Sequence, residues 1–571
     1  MPTTDEATRH RKFVPLPIDP LELVARAKAL LEEPVSAETM PAFVAAVNEV
    51  SVDFSELYAS RMRANDEDTA DEAAKQSYLD FLTNHVPELA GLGAALSRKQ
   101  LEVADYTPPA DLADHWADMR VDVELFREEN LPLEAEVASL AQAHSEVSGS
   151  LRVELDGETL TLGQAGAKLE SPDRDLRERA YRAMEAGREA TRPRLDEIFA
   201  QMLPLRRRIA LNAGLPDYRA YAWRKAKRRE YTPEDVLAMH DSVAKEVVPR
   251  LRAVYERRAR LLGLERLRPW DLDCDVHGRD PLAPFQTVDE LVEGMARMYS
   301  ALDPELAGAF DLLRDGWMDL EPRQTKVPGL GYANYFPRSK RPYIYWSAVG
   351  TDDDVLTMRH EGGHAFHALL TQNRWPYLAH MSERPEMCEL ASQAMELLTL
   401  PYLAREAGGF YSPEDAGRSQ AALLVRALSL LVSASRVDAI QHFIYTHPSE
   451  TGPTIAEIDA QWRRLGERFD LGMDMTGFDR QLSKGWHIIH VFHYPFYYIE
   501  YAMAYLGALQ VWRNAMQDAP RALRQYKEAL ALGGTRPLDE LYEVAGIRFA
   551  FDRSTVAGLS QLAFDALGDE A

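Results

Sequence analysis

The residues with the clearest chemical potential are His360-Glu361-Gly362-Gly363-His364. Two histidines four residues apart lie on one face of a helix, one turn from each other, so both imidazoles can reach a single ion. Zinc suits neutral imidazole and the tetrahedral arrangement this spacing offers. Glu361 follows the first histidine and projects toward the same place, where it can take a proton from a metal-bound water. The adjacent Gly362 and Gly363 cost roughly 1 kcal/mol each inside a helix. Glycine is kept most readily where something approaches closely, and the candidates are a substrate, the metal or a neighbouring helix.

A catalytic zinc needs a third protein ligand and an open position. The stretch 384–396 supplies a candidate: Pro385 fits a helix start, and Glu389, Gln393 and Glu396 share a face of an otherwise apolar helix. Carboxylates there need partners. A metal is one solution, and solvation or an arginine is another. Cys388 points about 100° around the helix from Glu389, so both cannot easily serve one ion, and it reads as a small buried thiol. A third cluster, 486–501, packs His487, His490 and His493 among Tyr494, Tyr497, Tyr498 and Tyr501. Pro495 is expected to open a helix with Tyr498, Tyr501 and Tyr505 in one stripe. Imidazole or phenol donors would stabilise the charge that grows on a scissile carbonyl oxygen. The same stripe also fits an aromatic core.

The elements that must position these groups are mostly helical. Periodicity predicts helices over 20–31, 37–64, 71–83, 111–129, 133–147, 172–190 and 233–262, with Ser171-Pro172 and Thr232-Pro233 as cap-then-proline starts. Thr351 and the acids Asp352, Asp353 and Asp354 cap the helix that carries the histidines. Strands are few: 151–162 reads as a hairpin around Asp156-Gly157, and 332–336 with 343–347 as a second pair. A helical region 1–165 and a catalytic region 166–571 are the expected division.

The chain has 571 residues, 46% of them hydrophobic, enough for a large core. Its 65 basic and 90 acidic residues leave a formal charge of −25, which repels nucleic acid and anionic membrane on average. Two cysteines cannot form a disulfide framework and fit a reducing compartment. Neither a secretory signal nor a membrane span is read, so the expected location is the cytoplasm.

These residues resemble a family, the zinc oligopeptidases of the thimet oligopeptidase and oligoendopeptidase F type, and within it the oligoendopeptidase F and Pz-peptidase branch. The likeness covers roughly 165–560. It is carried by Pro342 to Trp346 with Gly350-Thr351, by 356–367, by Glu389 to Gln393 with Glu396, and by 490–501. The resemblance implies a mostly α fold with two helical lobes around a deep substrate channel, a zincin-type active site and a small β-sheet at the cleft. It implies one zinc ion per chain held by His360, His364 and Glu389, the last at the family's offset of 29 residues from His360. It also implies Glu361 as general base and Glu396 as the carboxylate that orients a histidine ligand. His490 and Tyr501 would hold the carbonyl oxygen, with Tyr498 nearby. Tyr343, Tyr345 and Trp346 would lie on a strand that pairs with the substrate backbone. Residues 390–391 and the additional His493 and Tyr494 depart from the family pattern, which leaves His487, His490 and His493 open as the histidine facing substrate. The expected activity is an endopeptidase acting on short peptides, as monomer or homodimer. The alternatives are a metallocarboxypeptidase of related helical fold and a catalytically silent peptide-binding zinc protein.

Overall fold

Helix starts in this chain are written in its capping residues. Thr232 Oγ1 accepts from Asp235 N at 3.2 Å while the Asp235 carboxylate accepts from Thr232 N at 2.8 Å, opening the helix Pro233–Leu261. Thr351 and Asp354 close the same reciprocal box at the start of the helix Asp352–Arg374. Ser171 does not cap the next expected helix: its hydroxyl accepts from Asp173 N at 3.2 Å, and Asp173 itself is the cap of the helix Arg174–Asn212. That helix runs well past the expected end at 190, through Pro193 and Pro204. Each proline removes one helical hydrogen bond, but Leu195, Ile198, Phe199, Met202 and Leu203 bury a continuous apolar face beside them, which offsets the loss.

The structure, a computed structural model, describes residues 15–327, 330–381 and 384–568. Two compact units divide it, each assembled from three stretches of chain. The first unit comprises Met1–Val123, Ala283–Ala416 and Gln510–Phe549, and the second Glu124–Leu282, Gly417–Leu509 and Ala550–Ala571. The division at 165/166 expected from sequence and this division by contact describe different things. Among the described residues no helix is long and apolar enough to cross a membrane.

In the second unit, strands β1 (Arg152–Leu155) and β2 (Glu158–Thr161) form the expected hairpin. Asp156 and Gly157 at its turn have φ of 52° and 89°, the left-handed pair that a tight two-residue hairpin turn requires. The buried Val153 and Leu155 pack with Ala180, Met184, Trp270 and Phe478.

In the first unit, β3 (Met318–Asp319), β4 (Tyr332–Phe336) and β5 (Arg341–Tyr345) form one sheet in the order β3-β5-β4. β5 is antiparallel to β4 and parallel to β3. Phe336, Tyr343 and Tyr345 pack with Ala59 of the helix Met40–Glu67. The Tyr343 hydroxyl donates to Glu67 at 2.8 Å and the Tyr345 hydroxyl to the Asp66 carbonyl at 2.6 Å. Both β4 and β5 also pack against the helix Asp352–Arg374, which carries the histidine pair.

Candidate metal centre

The helix Asp352–Arg374 is anchored at its start by more than its cap. The Asp354 carboxylate also accepts from Trp346 Nε1 at 3.2 Å and from Val349 N at 2.9 Å, joining the end of β5 to the helix N-terminus. Two turns on, His360 and His364 present rings with centroids 4.9 Å apart. The helix Pro385–Leu398 faces them and contributes Glu389. Glu389 Oε2 lies 3.5 Å from His360 Nε2 and 3.8 Å from His364 Nε2. A tetrahedral zinc with bonds of about 2.0–2.2 Å sets its donor atoms roughly 3.3–3.6 Å apart, so these three atoms fit one ion with little movement. Among the described residues this is the one group of three such donors within reach of a common ion.

The two glycines owe their place to neighbouring elements. A Cβ on Gly363 would sit 2.5 Å from the Ala391 carbonyl oxygen and 2.6 Å from Ser392 Cα, both backbone atoms of the Glu389 helix. A Cβ on Gly362 would meet the Tyr299 hydroxyl at 2.2 Å, and that hydroxyl donates to the Met358 carbonyl at 3.1 Å. The helices therefore pack backbone to backbone at the level of the ligands, which brings Glu389 within range of both imidazoles. Arg359, 1% exposed, secures the far end by donating to Thr399 Oγ1 at 2.7 Å and to the Glu396 carbonyl.

The carboxylates shape the field. Glu396 Oε1 is 2.7 Å from His360 Nδ1, a contact that suits a proton on that nitrogen and would leave Nε2, on the Glu389 side, to a bound metal. The Ser392 hydroxyl donates to Glu389 Oε2 at 3.1 Å. Burial opposes a charge on His360, but the hydrogen bond to Glu396 and the charges of Glu396, Glu389 and Glu361 outweigh it and push its pKa up to about 9. His364 goes the other way, down to about 4, through burial and the neighbouring His360. The pocket thus favours one cation among its acids, whether a proton or a metal. Glu361 is 8% exposed on the same helix.

The remaining candidates form a cluster of their own in the second unit. His490 stacks on Tyr498 with centroids 4.2 Å apart and meets Tyr501 edge-on at 6.0 Å. Burial lowers the His490 pKa to about 4, so its imidazole is neutral at ordinary pH. The three open histidines separate by their partners. His487 Nε2 is 2.9 Å from Asp196 Oδ1, and His493 Nε2 is 3.2 Å from His144 Nδ1. The ring contacts of His490 are to Tyr498 and Tyr501. The helix expected to open at Pro495 begins at Tyr498 instead, because Phe496 takes a left-handed φ of 66° that ends any helical run through it.

One expectation fails on the sheet order. The strand bearing Tyr343, Tyr345 and Trp346 is the central one, with both edges paired. On the β3 side, Ile344 N donates to the Trp317 carbonyl at 3.0 Å and Trp346 N to the Asp319 carbonyl at 3.2 Å, while β4 fills the other side. The three side chains are buried and β3 takes the side of Ile344–Trp346 away from β4, so this stretch is not an open edge for a peptide. Within this sheet β4 is the longer of the two edge strands and is paired with another strand on one side only.

Sequence reasoning missed Ser392, Arg359, Tyr299 and Tyr526, whose hydroxyl donates to the Ala391 carbonyl at 2.7 Å. The one available signal was Arg359, a charge beside a ligand on an apolar helix. Asp438 is buried between His240 Nε2 at 3.1 Å and His442 Nε2 at 2.9 Å.

Two imidazoles and a carboxylate converge from two helices of a mostly helical fold as a set of three donors that could hold one metal ion. Residues 167–560 match the model of peptidase family M3, and the chain belongs to that family. Its relatives include the chromosomal oligoendopeptidase F of Lactococcus lactis subsp. cremoris, 23% identical over 396 residues that make up 66% of this chain and 61% of that protein. An oligoendopeptidase F homolog of Lactococcus lactis subsp. lactis (strain IL1403) is 22% identical over 394 residues, 68% of this chain and 62% of that protein. The chain thus spans about three fifths of the length of these relatives. A solved structure described as Pz peptidase A with inhibitor 2 superposes with a TM-score of 0.89 at 26% identity, covering 98% of this chain and 100% of that one.

Proposed function

We propose that this member of family M3 is a zinc-dependent endopeptidase that hydrolyses internal bonds of short oligopeptides. The observation that carries the proposal is the convergence of His360, His364 and Glu389 beside a buried Glu361. These three residues would hold one zinc ion per chain. When bound, the ion supplies Lewis acidity to the scissile carbonyl and to the attacking water.

The chain's own residues do the rest. Glu361 accepts a proton as water attacks the carbonyl carbon, and returns it to the nitrogen of the leaving amine as the C–N bond breaks. Glu396 keeps the His360 Nδ1 proton in place, so that Nε2 stays available as a donor. His490 and Tyr501, with Tyr498 beside them, donate to the carbonyl oxygen as its charge grows. A neutral His490 suits that donor role. We assign backbone pairing of the substrate to the open edge of β4, since β5 is paired on both sides. The names of the relatives, oligoendopeptidase F among them, support short peptides as substrates. Catalysis is assigned to 166–571. The two cysteines, both free, support a cytoplasmic setting, and the working unit is a monomer or homodimer.

The test is incubation of the zinc-loaded protein with a random peptide mixture, with and without chelator, read by mass spectrometry. Internal fragments that vanish with chelator are expected. Stepwise loss of single C-terminal residues would replace the endopeptidase with a carboxypeptidase, and no cleavage of any peptide would overturn the enzymatic reading.

A further inference from the structure

The rings of His490 and Tyr498 stack at 4.2 Å although the chain between them must reverse direction to bring them together. It does so through the single helical turn Ile489–Phe492 and the left-handed Phe496, a conformation disfavoured for any residue with a Cβ. Such a conformation persists where the surroundings over-determine it. Here three buried side chains from other elements of the same unit grip the turn. Arg206, 1% exposed, donates through Nη1 to the Val491 carbonyl at 2.9 Å and through Nη2 to the Phe492 carbonyl. Arg228 donates through Nη2 to the Phe496 carbonyl at 2.5 Å and to Glu500 Oε1 at 2.6 Å, with its guanidinium 4.4 Å over the Trp223 ring. Gln441 Oε1 accepts from Phe496 N at 2.8 Å.

A buried guanidinium is costly and contributes little net stability as an ion pair. Both of these aim their donors at backbone carbonyls of one short turn, 491–496. The planar fork of arginine fixes two such oxygens at once, which a lysine cannot do. From this convergence we infer that Arg206 and Arg228 are positioning residues: they set the placement of the His490 imidazole against Tyr498 and Tyr501, and through it the rate of hydrolysis. The inference rests on the reading of His490 as a donor to the carbonyl oxygen.

The experiment measures kcat and KM on one fluorogenic peptide for Arg206→Lys and Arg228→Lys, each alone and combined with His490→Ala, alongside zinc content and Tm. Each lysine variant is expected to keep its zinc and its fold and to lose kcat by about tenfold or more with KM changed less than about threefold. In the His490→Ala background the same substitutions should cost less than about threefold, because the group they position is gone. Retention of kcat within about twofold, or an equal loss in both backgrounds, would overturn the positioning role. Full activity of His490→Ala by itself would instead refute the donor reading on which it rests. Where an arginine variant fails to fold, Gln441→Met removes the acceptor at Phe496 N, together with the Nε2 donor to the Val437 carbonyl at 3.2 Å within its own helix, and carries the same two-background comparison.

Discussion

Replacing Gly363 by alanine tests whether helix approach builds the metal centre. The added Cβ would lie 2.5 Å from the Ala391 carbonyl oxygen, 0.9 Å short of the 3.4 Å at which ordinary contact begins. Neither side yields easily. The obstructing atoms are backbone, and the Ala391 carbonyl is held by the Tyr526 hydroxyl at 2.7 Å. Overpacking of this kind costs about 1–3 kcal/mol. Backbone contact argues for the upper end, and alanine recovers about 1 kcal/mol of helix propensity, leaving about 2 kcal/mol of destabilisation. The larger effect falls on the site. Separating the helices by most of an ångström moves Glu389 well beyond the roughly 0.2 Å tolerance of metal–ligand distances, so zinc affinity should fall by about 10–100-fold. Thermal denaturation and zinc titration against a chelating indicator measure both. Gly93→Ala is the control, since that glycine lies in the helix Val86–Leu101 with nothing within 4 Å of a new Cβ, and it should be neutral or stabilising. Native Tm and native zinc affinity in Gly363→Ala would refute the reasoning.

Glu361→Gln should retain stoichiometric zinc and lose hydrolysis by about 10²–10⁴-fold, and substantial turnover in a metal-replete sample would remove Glu361 from the general-base role. Glu396→Gln should weaken zinc binding by about 10–100-fold through the lost charge at His360 Nδ1, which a competition titration would detect. Stability should fall with pH between about 6.5 and 4. The half-buried His490 and the buried His144 sit near 4 in the fold and near the ordinary imidazole value when unfolded, so the unfolded chain binds more protons in that window. Melting curves of the native protein and of His490→Gln should show a shallower acid loss in the variant, and identical slopes would contradict that contribution.

What was legible in the sequence was local. The histidine pair, the threonine-aspartate boxes and the Asp156-Gly157 hairpin depend on residues within one or two turns of each other, and helix and strand periodicities act over the same range. Neighbours in sequence could not say which glycine neighbour mattered, and packing answered it with the Ala391 backbone and the Tyr299 hydroxyl. Nor could they order the sheet: β5 looks in sequence like half of an open hairpin, and the two residues of β3 that cover its other edge lie far too short and distant to announce themselves. Prolines in the helix Arg174–Asn212 mislead for the same reason, since the apolar face that carries the helix past them is repaid by long-range burial.

The sequence by itself determined the donor types, the helix that presents two of them and the carboxylates available to complete the set. Tertiary structure alone decided that Glu389 meets both imidazoles, that Glu396 takes the second nitrogen of His360, and that His490 is the histidine of its cluster packed against Tyr498 and Tyr501. The physical reason is chain closure. A contact such as Arg206 to the Val491 carbonyl joins residues 285 apart, and its geometry is set by the summed packing of everything between them, which no local pattern encodes.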